Sequence, residues 1–104
     1  MSNRSAILDL VHGISSPLPA NRARSADAVT DIAERMAERE VDLVARLLVT
    51  ARLTEQELDC RESQLHALAE LAEWHGVSTA VLAPLAQGRA EAVGSEIEYL
   101  GLSA

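Results

Sequence analysis

Apolar residues recur at three- and four-residue intervals along most of this chain, and nowhere do they alternate for long. The clearest case is Thr54 to Gly76, TEQELDCRESQLHALAELAEWHG. At about 100° per residue, Leu58, Arg61, Leu65, Leu68, Ala69 and Ala72 share one helical face. Cys60, Ala67, Leu71 and Trp74 form a second apolar face, separated from the first by Gln64 and His75. One wedge remains for water: Asp59, Glu62, Ser63, His66, Glu70 and Glu73. Thr54 and Glu57 have the capping-box spacing of a helix start, and Gly76 stands where a left-handed residue would end the helix. A helix apolar on two sides packs against more than one neighbour, which makes this one central.

The remaining elements follow from the same pattern. A short first helix holds Ala6, Ile7, Leu10 and Val11, with Asn3 or Ser5 as its cap and Gly13 as its end. Pro17 and Pro19 open a long amphipathic helix running to about Arg39, with Arg22, Ala26, Val29, Ile32, Ala33 and Met36 toward the core. Val41, Val44, Leu47, Leu48 and Ala51 continue without an intervening Gly or Pro, so periodicity alone allows residues 19–52 to be one helix or two. Ser78 caps a short helix containing Val81, Leu82 and Leu85, which Pro84 should kink or shorten before Gly88 ends it. Ser95 and Glu98 have capping-box spacing and open a last turn through Leu100. With no strand signals and Ala and Leu dominant, the expectation is all-α.

A shift of 39 residues relates the two long amphipathic segments. It places Arg22 on Arg61, Ala26 on Leu65, Val29 on Leu68 and Ala33 on Ala72, and sets Ala6, Leu8 and Leu10 on Ala45, Leu47 and Val49. A period near 40, a shorter helix followed by a longer one, is that of helical-hairpin repeats. It requires a turn near Arg39–Glu40 and divides the chain into approximate repeats 3–39 and 40–76 with a truncated third, 78–104.

Composition narrows the function classes. At 104 residues the chain is expected to form one domain, spanning 1–104. All nine basic residues are Arg, and the net charge of −7 opposes binding to nucleic-acid phosphates. Arg-only usage with abundant Ala is what a GC-rich coding bias produces. The single cysteine, Cys60, allows no internal disulfide and reads as a small buried hydrophobe. Neither a signal peptide nor a membrane-spanning stretch is visible, so the expected location is cytoplasmic with no membrane partner.

Pro19 through Ile32 (PANRARSADAVTDI) and Arg61 through Leu71 (RESQLHALAEL) each set an Arg ahead of Ala/Leu periodicity in the second helix of a unit. In this the chain resembles HEAT-repeat proteins, and more narrowly small acidic HEAT-like proteins of bacteria. Some of those are proposed as immunity partners in polymorphic toxin systems. The resemblance implies a right-handed α-α superhelix, a solenoid of about five to six helices whose second helices line a concave face. On that face it would set Asp27, Asp31, Glu34 and Glu38 beside Glu62, His66, Glu70 and Glu73. The function expected is a protein–protein interaction module that engages a basic partner, such as a toxin or nuclease domain, with those acidic residues.

Other readings stay open. Arg22 and Arg61 project toward the core side of their helices and should be structural, tied to a carboxylate or to carbonyls. Trp74, Cys60 and Leu71 could instead form an apolar contact patch, making the chain a structural or oligomerising repeat protein. Glu62, His66 and Glu70 align at four-residue steps, as a metal-dependent catalyst would need, but no Glu-x-x-His motif recurs on a paired helix. There is no nucleophile motif with its base and no phosphate loop. The expectation is a non-enzyme without metal or cofactor.

Overall fold

The computed structural model describes residues 3–88, with side chains described for 6–85. The described residues are all-helical: α1 (Asn3–Ile14), α2 (Pro19–Ile32), a 3₁₀ turn (Ala33–Arg35), α3 (Glu38–Thr54), α4 (Leu58–His75) and α5 (Thr79–Gly88). The turn expected to open at Ser95 lies outside the described residues, as do the capping side chains expected at Asn3 and Ser5.

One core runs through all five helices. Ile7, Leu10 and Ile14 come from α1, Ala26 and Val29 from α2, and Ala33 and Met36 from the turn region. Val41, Val44, Ala45, Leu48 and Val49 of α3 meet Ala67, Leu68 and Leu71 of α4, and Val81, Leu82 and Leu85 close the α5 end. As the two-sided apolar pattern requires, α4 packs against α2, against α3 and against the 3₁₀ turn. Gly76 ends it with φ 73°, a left-handed conformation that glycine adopts at no steric cost, and its N–H bonds to the Ala72 carbonyl at 2.8 Å.

Several boundaries differ from the sequence reading. Gly13 does not end α1; the helix continues to Ile14, which is fully buried. Glycine is required there because α1 crosses α2 closely: a β-carbon at Gly13 would lie 2.8 Å from Ser25 Cβ. Thr54 does not open α4 but closes α3, its hydroxyl donating to the Thr50 and Ala51 carbonyls at 3.4 and 3.3 Å. The break between the second and third helices falls at residues 33–37, ahead of the expected Arg39–Glu40. Two contacts fix it there. His75 Nε2, at the end of α4, donates to the Ala33 carbonyl at 2.6 Å, alongside the Met36 N–H that the same carbonyl accepts at 3.3 Å to close the 3₁₀ turn. The Glu40 carboxylate accepts the Ala37 N–H at 3.2 Å, which starts α3. Pro84 lies inside α5 and on its exposed side, where the helix runs on to Gly88 despite the missing N–H. Ser78 caps that helix, its hydroxyl accepting from Ala80 N at 3.0 Å and Val81 N at 3.4 Å.

Candidate functional site

The two helices that carry the acidic residues lie side by side and point the same way. Cys60 Sγ, near the start of α4, donates to the carbonyl of Pro19, the first residue of α2, at 3.1 Å. At the other end His75 reaches Ala33. These contacts set the two helices parallel, start beside start and end beside end. On α2, Ser25 is turned to α1 through its approach to Gly13. Asp27 lies about 160° around the helix from Ser25, on the flank away from α1. On α4, Trp74 lies about 40° and Glu70 about 80° around the helix from Cys60.

The structure therefore sorts the acidic residues into three groups. Asp27, Asp31 and Glu34 are exposed along α2 and the 3₁₀ turn, and Glu70 of the neighbouring α4 is half-buried. Glu62, His66 and Glu73 are exposed on the side of α4 opposite its buried residues, further from α2. Glu38 leaves the set, because the break at residues 33–37 places it in the first turn of α3, where a carboxylate favours the helix N-terminus. Among the described residues, Asp27, Asp31, Glu34, Glu62 and Glu73 have no cationic partner within ion-pair distance. His66 and Glu70 approach only to 3.9 Å. Arg24 and Arg35 are exposed near the first stripe.

Trp74 is 51% exposed, and its indole N–H donates to Glu70 Oε1 at 3.3 Å. The apolar contact patch expected of Trp74, Cys60 and Leu71 is not present. Cys60 and Leu71 are buried at 2% and 0% exposure, taken up by the packing of α4 on its neighbours, and only the indole reaches the surface. Burial also pushes the Cys60 thiol above its usual pKa, which keeps it protonated and unreactive. Of the row Glu62, His66, Glu70, the first two are exposed and Glu70 is half-buried beside Trp74; among the described residues no group of three or more His, Cys, Asp or Glu is placed to hold a metal ion. None of the described helices is long and apolar enough to cross a membrane.

The second polar constellation was only half legible. Arg22 donates from Nε and Nη2 to Glu55 Oε1 and Oε2 at 2.7 and 2.8 Å, and from Nη1 to the Ser16 carbonyl at 3.0 Å. Glu55 also accepts from Gln64 Nε2 at 2.9 Å and from Glu57 N–H at 3.1 Å. These donors hold its carboxyl at a pKa of about 2, the Arg22 fork contributing most, against the burial that would raise it. The fork likewise raises the pKa of Arg22. The sequence pattern singled out Arg22 and missed Glu55 and Gln64; Gln64 was assigned to a polar seam, but it is fully buried. Arg61, the repeat counterpart of Arg22, is half-buried. The Arg22–Glu55 pair lines one side of a cleft of about 510 Å³, closed on the other by Ile14, Leu47 and Ala51. With its acceptors saturated, the pair locks the α1–α2 and α3–α4 connections together. Comparison with protein-family models, with curated proteins and with solved structures returns no match.

Proposed function

We propose that this chain is a protein-binding module whose acidic surface, spread over α2 and α4, engages a basic partner. The observation that carries this reading is the set of exposed carboxylates on two adjacent, parallel helices that lack cationic partners among the described residues. Like charges held close on a folded surface repel one another, and a partner's cations relieve that repulsion. The field would speed encounter, and charge pairing would fix the register of the complex.

A stacked-hairpin, HEAT-like arrangement gives the surface its frame. It is supported by helix spacing, since α2 begins at Pro19 and α4 at Leu58, the 39-residue period seen in the sequence. It is supported also by neighbour relations: α1 packs on α3, α3 on α5, and α2 on α4, as in a stack of hairpins. The most concrete version is a toxin-neutralising immunity protein that acts by occlusion, which rests on the HEAT resemblance and the charge.

The test uses the immobilised chain beside a variant with Asp27, Asp31, Glu34, Glu70 and Glu73 changed to their amides. The wild type is expected to retain a partner, identified by mass spectrometry as basic, that is released by raised salt. The variant, with its helical circular dichroism unchanged, should not retain it. Equal retention by both would remove the acidic surface from the interface.

A further inference from the structure

We infer that Trp74 is the anchor of this surface and that the partner group it takes is an arginine guanidinium; the inference rests on the acidic-surface reading above. Trp74 is half open to water, and Trp is prominent among residues that dominate interface energetics. What covers Trp74 is constrained by its surroundings. The apolar residues that share its face, Cys60 and Leu71, are buried, so the ring stands alone rather than inside a hydrophobic patch. A second copy of the chain or an apolar helix would find Cys60 and Leu71 already covered and only the ring of that α4 face left to bury. Glu70 holds the indole through its N–H, while Asp27, Asp31 and Glu34 stand exposed on the neighbouring α2 and 3₁₀ turn.

An isolated ring set in a field of carboxylates suits a flat cation. A guanidinium can stack on the indole face while its N–H groups fork onto carboxylate oxygens, using both features at once. A lysine ammonium is compact and strongly hydrated, and it can use the carboxylates but gains less from the ring. The surface should therefore discriminate arginine-rich from lysine-rich partners of equal charge, a preference that the carboxylates alone would not give.

The experiment titrates the full chain with hexa-arginine and with hexa-lysine at low salt. Affinity is followed by calorimetry and the ring by fluorescence, since Trp74 is the single tryptophan. Hexa-arginine is expected to change the Trp74 emission and to bind about fivefold more tightly than hexa-lysine, the ratio that a surface cation–π contact supplies. Trp74→Leu, with its helical circular dichroism unchanged, should bind both peptides equally and at the hexa-lysine level. A preference that persists in Trp74→Leu, or an emission unchanged on binding, overturns the anchor and leaves the acidic surface standing. Binding of both peptides to Asp27→Asn, Asp31→Asn, Glu34→Gln at wild-type affinity overturns the acidic surface itself. Failure of the wild type to bind either peptide overturns both.

Discussion

Glu55 accepts hydrogen bonds from Arg22, Gln64 and the Glu57 backbone, so one side chain ties α2 and α4 to the α3–α4 connection. Its charge is needed for all of them, and its side chain is 1% exposed. Glu55→Gln removes the charge while keeping the shape, leaves the Arg22 guanidinium without its counter-charge, and should cost about 3 kcal/mol in denaturant unfolding. Acid makes the same change without mutation. The folded-state pKa of about 2 lies below the ordinary value of 4.5. The contribution of Glu55 is therefore complete above about pH 4.5 and is lost as pH falls toward 2. The wild type should lose stability across that window, and Glu55→Gln should show a shallower decline there. An identical pH dependence in the two proteins would mean that the pair is not the acid-sensitive element.

Helix ends depend on contacts far away in the chain, and this is where sequence pattern and structure part. The start and stop of α4 were legible to within a few residues, because its periodicity is strong and Gly76 leaves the helix in a left-handed conformation. Gly13 carries the same letter and has a different cause: it is small because α2 passes close by at Ser25, which no local pattern reveals. Gly13→Ala separates the two roles. If Gly13 ended a helix without close contact, Ala would be tolerated or would add up to about 1 kcal/mol through helix propensity. With Ser25 Cβ 2.8 Å from the new β-carbon, overpacking should win by about 1–3 kcal/mol, lowering the thermal midpoint. The break at residues 33–37 was expected from the 39-residue repeat but misplaced, since the bond that sets it comes from His75, 42 residues later. Glu38 followed the misplaced break onto the wrong helix. Glu40→Ala should loosen the start of α3 by about 1 kcal/mol, seen as faster amide exchange in its first turn.

At the scale of the whole molecule, the all-helical class and the outward direction of the acidic residues were readable from the 3.6-residue period. That period also gave α4 two apolar faces. It could not say which of their residues the neighbours would cover, and so Trp74 was grouped with Cys60 and Leu71 when it stands apart from them. The exposed carboxylates of α2 and α4 now admit a stability test that needs no partner. If Asp27, Asp31 and Glu34 serve the fold, their replacement by amides should destabilise it. They have no cationic partner within ion-pair distance among the described residues, and the chain already carries a net charge of −7. Removing three negative charges should then relieve self-repulsion and stabilise the free protein by about 0.5–1 kcal/mol in low salt. The gain should shrink as salt rises and the Debye length falls below the spacing of the charges. Unfolding curves of the triple amide variant at low and high salt read this directly. A loss of stability in low salt would assign these carboxylates to the fold and take them out of the interface.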